Sequence, residues 1–155
     1  LEKYQVFCQT HFERNGKSLD GDVVPQLYER FEGITSYMQR TMNILYTMTP
    51  KGSTCIASMI DTAINDLLDL SSDTYETLLY QMPEKQRALF MAIAAAGKAK
   101  AINSSEFVRK YHLSSASSVA SAAKGLLEKD FITNDKGTYQ VYDLFFKLWL
   151  LKTKL

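Results

Sequence analysis

Ser115, Ser117, Ser118 and Ser121, followed by Lys124, are the residues of this chain whose types and spacing best suit recognition chemistry. A serine hydroxyl at the start of a helix can hold a backbone N–H as a cap, or it can touch a base edge or a phosphate. Serine does not discriminate between bases. The bidentate Arg–guanine and Asn–adenine pairs that specify sequence are missing from this run. Lys110, Lys124, Lys129 and Lys136 would supply salt-sensitive phosphate contacts around it. A second candidate is Gly16-Lys17-Ser18, which spells the end of a phosphate-binding loop. The full motif requires a glycine where His11 stands and a strand where a helical pattern stands, so a polar turn is the better reading. His11 lies on an apolar helical face as a packed residue, and His112 lies beside a turn, where a backbone hydrogen bond is the usual role. No Ser–His–Asp set, carboxylate pair or zinc-type spacing of Cys and His is present, so no catalytic or metal residue is assigned.

The serines need a scaffold, and their neighbours provide one. Glu84–Ala96 reads as a helix after Pro83, with Leu89, Phe90, Ile93 and Ala94 inward and Gly97 as a left-handed stop. Asn103-Ser104-Ser105-Glu106 has capping-box spacing with Asn103 as the cap of a two-turn helix through Tyr111. Leu113-Ser114-Ser115 is a tight turn. Ser114 or Ser115 then caps a third helix that buries Val119, Ala122, Ala123, Leu126 and Leu127. Gly125 inside it costs about 1 kcal/mol relative to Ala, and close approach of a neighbouring backbone would explain its presence. Phe131–Thr133 and Tyr139–Val141 form a hairpin around Asn134-Asp135-Lys136-Gly137. Asp143 caps a last helix that is apolar nearly all round, and part of it should be buried against the first half or a missing domain. That order of elements is a winged helix-turn-helix.

Upstream, apolar spacing gives five helices. Tyr4, Phe7, Cys8, His11 and Phe12 share one face of the first, which Asn15-Gly16 stops. Asp22 caps the second, which buries Val24, Leu27, Tyr28 and Phe31 and closes at Gly33. The third uses Tyr37, Met38, Thr41, Met42 and Leu45. The fourth, capped by Ser53 or Thr54, buries Ile56, Met59, Ile60, Ala63, Ile64, Leu67 and Leu68. A short fifth follows Ser72-Asp73. No alternating strand pattern precedes residue 130. The fold class is therefore mainly α, an N-terminal helical bundle followed by a winged helix-turn-helix domain with a small β-hairpin.

The chain has 155 residues and a net charge of +1, which conceals an asymmetry. Residues 1–82 carry 6 Lys+Arg against 11 Asp+Glu, whereas residues 83–155 carry 12 against 6. The split argues for two domains, 1–82 and 83–155, the second suited to an anionic partner or to the first domain itself. No apolar run approaches the roughly 20 residues of a membrane span, and no signal-peptide pattern opens the chain. Leu1 in place of Met points to a fragment of a longer protein. Cys8 and Cys55 read as free thiols of a cytoplasmic protein.

Four stretches, "LYERFEGITSYMQRTMNIL", "YETLLYQMPEKQRALFMAIA", "FVRKYHLSSASSVASAAKGLLEKDFI" and "YQVYDLFFKLWL", together resemble the C-terminal part of archaeal-type ATPases of the AAA+/STAND group. The resemblance spans nearly the whole chain and implies a helical lid over residues 1–80 and a winged helix over 83–155. It implies a missing N-terminal ATPase core, with ATP and Mg bound in that parent and no cofactor in this fragment. It also implies a DNA or protein partner, while the lack of a long apolar run implies no membrane partner. By the same resemblance Gly33, Thr35, Tyr37 and Arg40 would lie near bound nucleotide, Thr35 standing where the family has Pro. The alternatives are that Gly33 is simply a helix stop and Arg40 a solvated charge.

Overall fold

The computed structural model describes residues 1–155 and divides them into two compact units, Leu1–Leu70 and Ser71–Leu155. The first contains α1 (Glu2–Arg14), β1 (Ser18–Leu19), α2 (Val23–Arg30), α3 (Thr35–Met48), β2 (Thr54–Cys55), a short 3₁₀ turn (Ala57–Met59) and the start of α4 (Ile60–Gln81). Its core is Phe12, Val23, Val24, Leu27, Phe31, Leu45 and Ala63, all almost fully buried. They come from the apolar stripes that the spacing predicts, because a helix buries whichever face carries them. Tyr28 departs from that expectation. It is 43% exposed, and its ring lies over Gly33.

The expectation of no strand before residue 130 is corrected. Ser18-Leu19 and Thr54-Cys55 pair in parallel, with Ser18 N–H donating to Ser53 O at 3.0 Å and Asp20 N–H to Cys55 O at 2.9 Å. A two-residue strand has no room to show alternation, so only its long-range partner reveals it. The same pairing removes Ser53 and Thr54 as helix caps. Ile56 is 43% exposed, and α4 begins only at Ile60.

Nor is there a separate fifth helix. α4 continues through Ser71-Ser72-Asp73 to Gln81. Serine and aspartate are mediocre helix formers, but packing decides here. Trp149 Nε1–H donates to Ser72 Oγ at 3.0 Å, and the Tyr75 ring stacks on Phe146 at 4.5 Å. The division between units falls at Leu70/Ser71, inside α4, whereas the charge pattern put it at 82/83.

The second unit adds α5 (Glu84–Ala96), α6 (Ser105–Lys110), α7 (Ala116–Glu128), the antiparallel hairpin β3 (Ile132–Asp135) and β4 (Thr138–Val141), and α8 (Leu144–Thr153). Leu89, Phe90, Ile93, Leu126, Phe146 and Trp149 fill its centre, with Phe90 and Phe146 edge to face at 5.0 Å. α8 buries its apolar face against α5, β4 and the last turns of α4, and Lys154 pairs with Glu76 at 2.8 Å. The Asp143 carboxylate caps α8 by accepting from Phe145 N–H at 2.9 Å. The chain is mainly helical with one small hairpin, as its sequence pattern implies.

Three local readings change. Ser104, not Asn103, caps α6, its hydroxyl accepting from Phe107 N–H at 3.1 Å. Gly97 has φ 77 and ψ −76, and Lys98 N–H reaches Ala96 O at 3.0 Å, so α5 ends in a γ-turn and not in a left-handed residue. Gly125 faces the side chain of Gln86 rather than a neighbouring backbone.

Candidate nucleic-acid or partner interface

α6, the turn at Tyr111–Ser114 and α7 form the helix-turn-helix, and the hairpin is the wing. At the wing tip Lys136 and Gly137 both have positive φ, at 50 and 87, which makes a two-residue turn matched to the twist of the strands. Asn134 Oδ1 secures it by accepting from Gly137 N–H at 2.8 Å. Lys136 is thereby held out into solvent.

The serine run is largely occupied with structure. Ser115, with φ −164 and ψ 164, is the N-cap of α7. Its hydroxyl accepts from Ser118 N–H and lies 3.2 Å from Ser117 Oγ. Ser118 is half-buried and lines a groove of about 200 Å³ with Lys85, His112 and Ser114. The freely exposed residues of α7 are therefore Ala116, Ser117, Ala120, Ser121, Lys124 and Glu128. Lys129 Nζ reaches Gln86 Oε1 at 3.4 Å, across from α7 to α5. Lys110 lies on the far side of α6, 5.4 Å from the Tyr111 ring centre. The structure thus places Ser115, Ser117, Ser118, Ser121, Lys124 and Lys129 on one helix and its cap. Lys136 stands on the wing and Lys110 in a different groove.

Gly33, Thr35, Tyr37 and Arg40 lie on the α2–α3 turn and the first turns of α3. Gly33 has φ 74, its N–H donates to Tyr28 O at 2.9 Å, and a Cβ there would stand 2.9 Å from Tyr28 Cε2. Together with Glu32, whose φ is 52 and whose N–H donates to Glu29 O, the glycine closes the turn that stops α2. Thr35 and Arg40 are exposed, and the Tyr37 ring is half-buried 5.9 Å from Phe31.

The Gly16-Lys17-Ser18 run joins turns together. Gly52 N–H donates to Gly16 O at 2.7 Å, and Lys17 Nζ donates to Tyr46 O at 2.6 Å. His11 is exposed, its ring 5.0 Å from that of Tyr46. Both rings line a cavity of about 330 Å³ with Tyr4, Cys8 and Met42. Burial pushes the Tyr4 hydroxyl and the Cys8 and Cys55 thiols above their ordinary pKa values.

One feature was invisible in the sequence. Ala99 forms an isolated antiparallel bridge with Tyr139 of β4, giving the hairpin a third, one-residue edge. A single bridging residue between Lys98 and Lys100 is too short to set up a strand period.

A family model described as "probable winged helix domain" matches residues 73–152, just over half of the chain. No curated protein and no solved structure matches it. No helix is long and apolar enough to cross a membrane.

Proposed function

The chain belongs to the family of probable winged helix domains, and from that premise we propose that it is the regulatory interaction module of an AAA+/STAND-type ATPase. The helical first unit acts as the lid over nucleotide held by the parent's core, and the winged helix passes the nucleotide state to a partner surface. The observation that carries this reading is the exposed face of α7. Ser115 is a cap, Ser118 is half-buried, and Ser117, Ala120 and Ser121 supply no bidentate reader. A partner surface has no need of such readers. The ATPase parentage rests on the sequence resemblance. ATP and Mg belong to the parent's core, toward which Thr35, Tyr37 and Arg40 are the groups this chain offers, while Gly33 serves as the helix stop. The chain contains no phosphate loop, so alone it turns over no ATP.

Hydrogen exchange on the parent protein with and without an ATP analogue tests the reading. Protection in α7 and α8 changes with nucleotide if the module reports its state. A nucleotide shifts such an equilibrium only through different contacts in the two states. Unchanged protection refutes the regulatory role, and ATP turnover by the purified chain refutes the division of labour.

A second reading, a DNA-binding module with phosphate contacts and little sequence preference, draws on the charge. Ser71–Leu155 carries 12 Lys+Arg against 8 Asp+Glu, and Lys124 on α7 and Lys136 on the wing are both exposed. Duplex titration by anisotropy at about 50 and 200 mM salt decides it, because phosphate contacts are strongest at low salt. No binding at the lower salt removes this reading.

A further inference from the structure

The surplus positive charge of the second unit is not gathered on α7. Lys98, Lys100 and Lys110 line one groove of about 420 Å³ between the end of α5 and α6, where Glu106 is the single carboxylate. The backbone fixes two of these lysines. Ala99 N–H donates to Tyr139 O at 2.9 Å, Tyr139 N–H donates to Ala99 O at 2.8 Å, and Ala99 is 2% exposed. Side chains alternate along an extended segment, so burying Ala99 sends Lys98 and Lys100 out on the same side. Lys110 ends α6, a helix anchored by the Ser104 cap and by buried Phe107. None of the three ammonium groups pairs with a carboxylate.

Three like charges held around one concavity raise the local potential, a repulsion that a multiply charged anion relieves. The ammonium group is a compact charge that binds phosphate without a fixed fork geometry. We propose that the Lys98–Lys100–Lys110 groove binds phosphoryl groups, supplied either by a free polyphosphate or by the phosphodiester backbone of a nucleic acid. The site is separate from the exposed face of α7, and it does not depend on the ATPase reading.

The test uses the whole chain with three probes, each at about 50 and 200 mM salt. They are sodium tripolyphosphate by calorimetry, and a labelled single strand and a labelled duplex by anisotropy. The variant Lys98→Gln/Lys100→Gln/Lys110→Gln changes only exposed side chains, and Trp149 fluorescence and circular dichroism verify its fold. It binds the effective probe at least about tenfold more weakly than wild type, and the slope of log K against log salt falls in magnitude by about 2 for the single strand or about 3 for the duplex. Lys124→Gln/Lys129→Gln, on α7, binds as wild type. Tripolyphosphate binding that the triple variant loses identifies a free phosphate ligand. Strand or duplex binding lost in the same way, without tripolyphosphate binding, identifies the nucleic-acid backbone. The proposal is overturned if no probe binds at the lower salt, if the triple variant binds like wild type, or if the α7 variant loses as much.

Discussion

Ser115→Ala separates a structural serine from a reading one. The hydroxyl accepts from Ser118 N–H at 3.2 Å and shares a hydrogen bond with Ser117 Oγ at 3.2 Å, and its removal leaves that N–H to water at the start of a 13-residue helix. Loss of such a cap costs about 1 kcal/mol, within a range of about 0.5–2. α7 carries Val119, Ala122, Ala123 and Leu126 into the core of its unit, so fraying its first turn loosens that packing. Trp149 is the chain's single tryptophan and is 1% exposed within the same unit, so its fluorescence reports this unit's unfolding. With a urea dependence of about 1–3 kcal/mol per molar, the midpoint falls by about 0.3–1 M. Ser117→Ala and Ser121→Ala, on the exposed face, stay within about 0.5 kcal/mol of wild type. Ser115→Asp retains the cap, and its charge suits a helix N-terminus, so it keeps wild-type stability. The reasoning is refuted if Ser115→Ala leaves the midpoint unmoved, or if Ser117→Ala lowers it equally.

Other consequences are open to simple measurement. Ser72→Ala removes the acceptor of the Trp149 indole N–H and destabilises the second unit by about 1 kcal/mol, read from the urea midpoint of Trp149 fluorescence. Gly125→Ala is close to neutral alone, because the added methyl meets the Gln86 amide. In a Gln86→Ala background it stabilises by up to about 1 kcal/mol, the propensity gain of Ala over Gly, and a double-mutant cycle in urea measures the coupling. Burial raises the Cys8 and Cys55 thiols above their ordinary 9.0 and raises the Tyr4 phenol as well. Because the unfolded chain then loses these protons first, their contribution to stability is complete below pH 9 and declines as pH rises further, which urea midpoints across that range record. Both thiols react with a disulfide reagent far more slowly in the native chain than in urea, since the thiolate is the nucleophile.

Much of this architecture was legible because it is local. The stripe Val119, Ala122, Ala123 and Leu126 names the buried face of α7, and Asn134 to Gly137 announces the wing through residues that tolerate its backbone. Asp143 was readable as a cap, and Ser115 as one of two candidates with Ser114, because a cap acts within three residues of itself. Cap choice failed at Asn103 and Ser104, adjacent residues of equal propensity between which the backbone path chooses.

What the sequence left open involves partners far apart along the chain. Ser71-Ser72-Asp73 reads as a break, and α4 crosses it because Trp149, some 77 positions away, gives Ser72 a hydrogen bond, while Phe146 stacks on Tyr75 and the Trp149 ring packs tilted against it. The strands Ser18-Leu19 and Thr54-Cys55 exist only as a pair, since neither has enough length to impose a period. The lysine groove is of the same kind: Lys98 and Lys100 become a facing pair once Ala99 meets Tyr139, and Lys110 joins them once α6 folds alongside. Amino-acid order determined which faces are apolar and, α4 excepted, roughly where helices start and stop, because propensity and periodicity act within a few residues. Tertiary structure decided which cations share a groove, because that depends on which distant backbones exchange hydrogen bonds.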